Sequence, residues 1–535
     1  MKARAVGIAY RWHRVLGGVL AAIVFTLSLS GAMSVFKDDL ETWTLAARIT
    51  CDSATVRTPE HAMRLFETLA DSSWSARRLE LHDECPGPTL RLKDGRIFAV
   101  GTDGVPIRID GMGGIADFLV NYHTRLFLGR EGRWLVGILG IGMLGSLVTG
   151  VIVHHKILRQ LFSLRLGRSL RLLLSDLHKL LGSWTLPFTA VIAITGIWLG
   201  VANLFVNDEA LIRAAAAKAP VPAGLFRFDS SQGNGTSRPN LDRLVVRARS
   251  LLPGFEPVFI DFRDIDGAPA FTVAGNLRGA LFRRHVGGAV FDDRGRALAR
   301  HAPGDLSSAV RLHFAAAPLH FGDFSGIGVR VLYAVSGLFA AALVAVGASL
   351  RWERFRYQEP DTGIPVGDRV TGGAMAGSYV ATLALPALAV STGLGPSFAG
   401  GMRLGQIFDG SAAPVLGAFL GLWMLSALGF GLARSPRSMW RAALLCGAGL
   451  FAGAVAIAAW PMSAVTGGFA SQGGMFHEVT LVLGGLAALQ LLAALSLMRA
   501  VRRQQPAQLR WGVRRALGNS RTTALFRHNR ENSER

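Results

Sequence analysis

Long stretches without charged residues are the feature that most constrains how this chain of 535 residues can fold. A helix needs about 20 apolar residues to cross the roughly 30 Å hydrocarbon core of a bilayer. We predict eight such helices, at 15–36, 134–153, 183–206, 331–350, 371–391, 412–433, 442–460 and 479–498. The composition agrees, because 50% of the residues are hydrophobic and only 17% are charged. The sequence therefore predicts a polytopic membrane protein.

Four histidines recur at matched distances from glycines and arginines, which indicates an internal repeat of helix pairs. The first pair precedes glycines by four and eighteen residues: His13 with Gly17 and Gly31, and His178 with Gly182 and Gly196. The second pair precedes an arginine by ten residues and glycines by seventeen and twenty-seven: His123 with Arg133, Gly140 and Gly150, and His320 with Arg330, Gly337 and Gly347. The first 350 residues thus look like two copies of one unit.

Two copies packed about a pseudo-two-fold axis would place each histidine opposite its counterpart, a geometry that grips a flat cofactor from both sides. We predict two b-type haems with bis-histidine ligation of the iron, one from His13 and His178 and one from His123 and His320. Such centres transfer electrons, since no axial position stays open. His154 and His155 are alternative ligands. The repeated glycines suit close approach of a macrocycle, although tight helix packing requires the same residues.

The charge distribution predicts the orientation. With a cytoplasmic N-terminus, the segments 1–14, 154–182, 351–370, 433–441 and 499–535 are cytoplasmic and hold 27 Lys and Arg against 7 Asp and Glu. The rest of the chain holds 30 against 29. This asymmetry follows the positive-inside rule and puts both termini in the cytoplasm. The basic residues lie along short loops and a tail, so we attribute them to topology and anionic lipids and expect no nucleic-acid partner.

The first apolar run also has features of a signal peptide, since basic residues precede it and small residues end it. We favour a retained helix, because the run is long and carries His13 and Gly31 of the repeat.

Two external segments read as small α+β domains, each between the two helices of one repeat unit. In the first we predict a helix at 59–69 and strands at 78–82, 90–92 and 97–100. In the second we predict a helix at 241–252 and strands at 257–262, 270–273 and 289–292. The predicted division is helix 1 (1–36), external domain 1 (37–133), helices 2 and 3 with a basic loop (134–206), external domain 2 (207–327), helix 4 (328–357), a C-terminal four-helix region (371–498) and a basic cytoplasmic tail (499–535).

A few other residues are candidates for chemistry. Cys51 and Cys85 share the first external segment, so a disulfide and two free thiols are both open interpretations. His477 with Glu478, and His313, have two open interpretations: metal or substrate binding, or a solvated role at the membrane interface. The remaining histidines are interpreted as surface residues: His61, His82, His285, His301 and His528. No hydrolase or ATPase motif is present in the sequence.

Roughly residues 8–357 resemble the PepSY-associated transmembrane family. The resemblance is carried by YRWHRVLGGVLAAIVFTLSLSGAMSVF, NYHTRLFLGREGRWLVGILGIGMLGSLVTGVIVHHK, SDLHKLLGSWTLPFTAVIAITGIWLG and PLHFGDFSGIGVRVLYAVSGLFAAALVAVG. It implies a bacterial inner-membrane protein of iron uptake with PepSY-like periplasmic domains, similar in some members to di-haem ferric-siderophore reductases. It also implies that the matching His13, His123, His178 and His320 are the haem ligands. The doublet His154-His155 has no equivalent in the second unit, where Arg351 and Trp352 stand.

We therefore expect an all-α polytopic membrane protein of about eight transmembrane helices with two small α+β PepSY-like periplasmic domains. Its expected activity is electron transfer through two haems to a ferric siderophore or other ferric chelate, which releases Fe(II) because hard oxygen donors hold Fe(III) more tightly. The electron donor is left open between quinol and a cytoplasmic reductase. The alternatives are a non-enzymatic PepSY module that binds or regulates a periplasmic partner, and a transporter.

Overall fold

The computed structural model describes residues 3–37, 39–40, 58–67, 76–81, 88–93, 96–100, 105–108, 115–155, 162, 164–165, 169–201, 239–265, 268–277, 287–302, 304, 308–358, 364–392, 413–433 and 435–459. Its helices are α1 (Ala3–Ser34), α2 (Pro59–Glu67), α3 (Ile115–Arg125), α4 (Gly129–Val153), α5 (Leu170–Val201), α6 (Leu241–Leu251), α7 (Ser308–Phe321), α8 (Ile327–Gln358), α9 (Val366–Thr392), α10 (Ala413–Gly431) and α11 (Pro436–Ala459). Its strands are β1 (Ala76–Glu80), β2 (Thr89–Leu92), β3 (Ile97–Val100), β4 (Pro106–Arg108), β5 (Phe255–Ile265), β6 (Ala268–Leu277), β7 (Gly287–Asp292) and β8 (Ala297–His301).

Helices α1, α4, α5 and α8 form a closed four-helix bundle, in which each helix packs against two neighbours. All four contain apolar segments long enough to cross a membrane. Glycines let the helices approach closely. A Cβ added at Gly140 of α4 would lie 2.9 Å from Ile197 of α5, and one added at Gly337 of α8 would lie 3.1 Å from Ala32 of α1. The repeat glycines at these two positions therefore serve helix packing.

The prediction of eight membrane spans is wrong in number, because only four helices of the described residues meet the length and hydropathy of a span. Three further predicted positions are helical, in α9, α10 and α11. Apolar runs also occur in buried helices, and α9 is one, since Ser378, Ala381 and Thr382 are fully buried. The apolar part of α10, Leu416–Gly431, covers only about 24 Å at roughly 1.5 Å per residue. The position 479–498 lies outside the described residues.

The two external segments form one eight-stranded antiparallel sheet, in the order β4-β3-β2-β1-β5-β6-β7-β8. The central pair β1 and β5 comes from different segments, with Arg78 opposite Asp261. Their side chains form a bidentate ion pair at 2.6 and 3.1 Å. This pairing removes two exposed strand edges, which is why the predicted pair of domains shares one sheet.

Helices α2 and α6 reinforce this junction. Glu60 accepts a hydrogen bond from the Leu241 backbone at 2.9 Å, and Asp242 accepts one from the Glu60 backbone at 3.0 Å. Each acidic side chain thus satisfies a free N–H at the start of the other helix. A hydrophobic core with residues from both segments, including Phe66, Leu79 and Phe291, lies under the helices.

Most predicted strands are present within a few residues, whereas β4 and β8 were not predicted. The absence of β8 from the prediction led to one wrong interpretation. His301 was taken as a surface residue, but it is only 5% exposed. It lies opposite Gly288 of β7, where an added Cβ would come within 2.8 Å of its ring. Strand pairing therefore buries this histidine.

Candidate functional site

The first histidine pair joins the two repeat units at one end of the bundle. His13 of α1 and His178 of α5 have ring centroids 6.1 Å apart, and both rings are partly buried. The pairing across units is the one that the repeat predicted.

The second pair lies on two short helices that precede membrane helices. His123 in the last turn of α3 and His320 in the last turn of α7 have ring centroids 6.0 Å apart. A left-handed turn ends each short helix, at Leu126 (φ 48°) and at Gly322 (φ 70°). These turns reverse the chain into α4 and α8, so each histidine points back to the bundle from a segment that folds over its end.

Each histidine packs against a repeat glycine of its own unit. An added Cβ at Gly150 would lie 3.2 Å from the His13 ring, and one at Gly31 would lie 2.8 Å from the His123 ring. In the second unit the corresponding distances are 2.9 Å between Gly347 and His178, and 3.1 Å between Gly196 and His320. The repeated spacings of eighteen and twenty-seven residues therefore encode where the imidazoles sit.

Hydrogen bonds set the tautomer of all four rings. Nδ1 donates to a backbone carbonyl in three of them: His13 to Ser146 at 3.0 Å, His123 to Leu27 at 3.0 Å and His178 to Leu343 at 3.2 Å. Each of these carbonyls belongs to the residue four positions before the glycine against which that histidine packs. In the fourth, His320 Nδ1 lies 2.9 Å from the Thr195 hydroxyl, which itself donates to Val191 and so acts as the acceptor.

A carbonyl can only accept, so Nδ1 carries the proton and Nε2 carries the lone pair of a neutral imidazole. Burial lowers the pKa of His123 to about 4, partly offset by its bond to Leu27, and this also favours the neutral ring. A ligating histidine usually has its second nitrogen held in this way. All four rings thus have the tautomer and support that a metal ligand requires.

The ring separations suit an iron placed between each pair. A metal holds an imidazole nitrogen at about 2 Å and the ring centre lies roughly 1 Å further out, so two opposed rings have centroids about 6 Å apart. The observed 6.1 and 6.0 Å agree with this value. On α1, Gly31 follows His13 by eighteen residues, which is about 27 Å along a helix. This separation of the two pairs along the bundle is close to the roughly 30 Å thickness of the hydrocarbon core of a bilayer.

A cavity of about 490 Å³ surrounds the first pair. Gly17 and Gly182 line it beside the two histidines, and an added Cβ at Gly17 would meet no atom within 4 Å. The wall is mostly apolar, with residues such as Leu20, Val24 and Leu147. The donor set, the ring spacing and the apolar cradle fit a bis-histidine haem.

The alternative ligand His154 also lies at this end of the bundle. It follows α4 and lines the cavity, and its Nε2 is buried without a hydrogen-bond partner among the described residues. Its pKa is lowered by burial and by the nearby Lys179 and His155. His155 is exposed. His313 accepts a hydrogen bond from Trp198 at 3.1 Å.

Several other predicted residues fall outside the described residues: Cys51, Cys85, His82, His285, His477, Glu478 and His528. Their disulfide, metal and surface interpretations remain predictions. Cys446 is an exposed free cysteine.

The role of the repeat arginines was not predicted from the sequence. Arg133 donates to the Leu199 carbonyl at 3.2 Å, and Arg330 donates to the Val35 carbonyl at 3.2 Å and pairs with Asp39. Each arginine thus binds the C-terminal end of the first helix of the other unit, where a cation is favoured. Their matched offset from His123 and His320 was the only signal in the sequence.

Comparison with known proteins agrees with this architecture. The family described as the PepSY-associated TM region matches residues 10–354, which include both histidine pairs. An uncharacterized protein of Pseudomonas aeruginosa is 32% identical over 292 residues, which cover 50% of this chain and 71% of that relative. The chain belongs to the PepSY-associated transmembrane family, as its histidine-bearing helix pairs indicated.

Proposed function

We propose that this protein is an inner-membrane b-type cytochrome that carries electrons through two haems to a ferric siderophore or another ferric chelate. The observation that carries the proposal is the presence of two cross-unit histidine pairs, each with ring centroids about 6 Å apart and Nε2 carrying the lone pair. Histidines that served only to pack helices would need neither the same Nδ1-protonated tautomer in every ring nor the open space at Gly17.

His13 and His178 would hold one haem, and His123 and His320 the other. Bound haem supplies reversible one-electron transfer. The protein's own residues orient the rings through the Nδ1 hydrogen bonds and keep them neutral. Repeat glycines remove side chains where a ring must lie, and the apolar cavity wall excludes water, which protects the centre from side reactions.

The second pair is the proposed exit for electrons. It lies on α3 and α7, the helices that connect the sheet segments to the bundle, so a chelate bound there would be near the sheet. Reduction weakens the chelate, because hard oxygen donors prefer Fe(III) to Fe(II). The predicted topology puts this end in the periplasm.

The test is a spectroscopic titration of the purified protein in detergent. We expect a b-type spectrum and two haems per chain. After chemical reduction, a ferric siderophore should reoxidise the haem bands and yield Fe(II) that a chromogenic chelator traps.

Variants locate the haems within the same experiment. His178→Ala should lower bound haem by about half through loss of one site, and His313→Ala should leave the content unchanged. A colourless wild-type protein would reject the proposal and favour the non-enzymatic PepSY module. Haem bands that stay reduced with every ferric chelate would reject iron as the acceptor.

A further inference from the structure

The cavity around His13 and His178 extends away from the histidines to the junction of three other helices. This second part lies where α8 packs against α9 and α11, and its lining residues are Trp352, Asp368, Thr371, Gly372, Met375 and Met439. These helices follow or end the segment matched by the family, so the repeat does not account for this region.

Two buried polar atoms in this wall have no hydrogen-bond partner among the described residues: Trp352 Nε1 and Asp368 Oδ2. Trp352 is only 2% exposed. Asp368 uses its other oxygen, Oδ1, to accept from Arg351 at 2.7 Å. A buried polar atom without a partner is costly, because it has lost its hydrogen bonds to water and gained none in the protein. One donor and one acceptor left on this part of the wall favour a ligand that satisfies both, and the third unpartnered atom of the cavity, His154 Nε2, lies at the histidine end.

The chemistry of the wall restricts that ligand. Trp352 Nε1–H requires an acceptor, Asp368 Oδ2 requires a donor, and the methionines require an apolar body between them. A haem propionate offers only acceptors, so it could pair with Arg14 of the same cavity but could not satisfy Asp368 Oδ2. A protein reductase is too large for the cavity. A quinol has an apolar ring with hydroxyl groups that both donate and accept.

We propose that this part of the cavity binds a membrane quinol, which is the electron donor for the pathway. The proposal rests on the function proposed above, because it places the donor in one cavity with the His13–His178 pair. Oxidation breaks two O–H bonds, and the quinol loses two protons and two electrons to become a quinone. Bound haem would supply one-electron acceptors for these two electrons, so each quinol would reduce two ferric haems.

Asp368 Oδ2 is the proton acceptor in this scheme, and Trp352 Nε1 holds the second ring oxygen. Asp368 takes the first proton, releases it to water and then takes the second. The Arg351 ion pair keeps the carboxylate oriented while Oδ2 stays available. The positions in the first unit that correspond to Arg351 and Trp352 are His154 and His155.

The experiment measures reduction of the haem-loaded full chain by decylubiquinol over a range of concentrations, with dithionite as a direct reductant. Trp352→Phe keeps the ring and removes the donor, so the half-saturating quinol concentration should rise about tenfold through loss of one hydrogen bond. Asp368→Asn keeps an acceptor for Arg351 and removes the proton acceptor, so the limiting rate should fall at least about tenfold. Haem content and the dithionite-reduced spectrum should be unchanged in both.

The matched control is Trp440→Phe, because Trp440 Nε1 already donates to Ser349 at 3.1 Å. The bound haem of this variant should be reduced by decylubiquinol with wild-type kinetics. Wild-type kinetics in both Trp352→Phe and Asp368→Asn would overturn the proposal. Loss of haem from these variants would assign the residues to the haem site, and reduction only by a soluble reductase would make the donor a protein.

A separate binding measurement keeps this proposal distinct from the haem proposal. A photoreactive azidoquinone should label the segment 351–380, and decylubiquinol should compete with it. If the wild-type protein binds no haem, the proposed function fails while labelling still reports the quinol site. If excess decylubiquinol does not decrease the labelling of this segment, the quinol site itself is contradicted.

Discussion

At the scale of single residues, the site depends on reciprocal contacts between histidines and glycines. The first helix of each unit carries one histidine and the glycine against which the second histidine packs. The second membrane helix of the unit carries the glycine for the first histidine. Because the glycine removes a side chain, the imidazole can reach the carbonyl four residues earlier and donate its Nδ1 proton. The glycines thus position the imidazoles as well as allow close helix packing.

Gly347→Val tests this role. A Cβ at this position would lie 2.9 Å from the His178 ring, so valine should displace the imidazole and remove one of the two haems. Bound haem per protein, measured by absorption, should fall by about half while the haem at the other end is retained. Gly328→Val on the same helix is the control, because its Cβ would meet no atom within 4 Å. Full haem content in Gly347→Val would contradict the role assigned to this glycine.

At the scale of secondary-structure elements, α3 and α7 connect the sheet to the bundle. Each follows strands of one external segment, ends in a left-handed turn and carries one histidine of the second pair. The sheet joins the two segments through β1 and β5, so it also restrains the distance between α3 and α7. The Arg78–Asp261 ion pair lies at that junction, with Asp261 buried and Arg78 partly exposed.

Asp261→Asn should weaken the junction, since it removes the charge that Arg78 and Arg263 contact. We expect the free energy of unfolding to fall by about 1–2 kcal/mol, less than for a fully buried pair because Arg78 is partly exposed to solvent. The melting temperature in detergent should drop by a few degrees. Arg64→Ala removes the ion pair between the exposed Arg64 and the mostly buried Glu60, and should change the stability by less than about 0.5 kcal/mol because Arg64 is solvated. Equal stability of the two variants would show that the junction does not depend on this pair.

At the scale of the whole molecule, the two histidine pairs lie at opposite ends of a bundle about as long as a bilayer is thick. On the proposed function, this arrangement would space two redox centres across the membrane and leave the second pair on the side of the sheet. The direction of electron flow would then depend on which end faces the cytoplasm. The asymmetry of 27 basic against 7 acidic residues in the segments named above predicts that the His13–His178 end does.

Reporter fusions check this orientation. A reporter that is active only in the periplasm should be active when fused after Gly235 and inactive when fused after Arg168, because the basic segment 154–182 should stay in the cytoplasm. A cytoplasmic reporter at the same two sites should give the opposite pattern and serves as the control. The inverse result would put the quinol cavity at the periplasmic face and reverse the proposed flow.

The sequence alone determined the properties that depend on local composition and on spacing. Apolar runs predicted the four bundle helices, and the repeated offsets predicted which histidines face each other. Tertiary structure decided the rest. Hydropathy along a chain does not separate a lipid-facing helix from a buried one, so α9 was taken for a span. The pairing of β1 with β5 and the placement of Trp352 and Asp368 on one cavity wall join positions that no periodicity links, because they depend on how the helices and strands pack against one another.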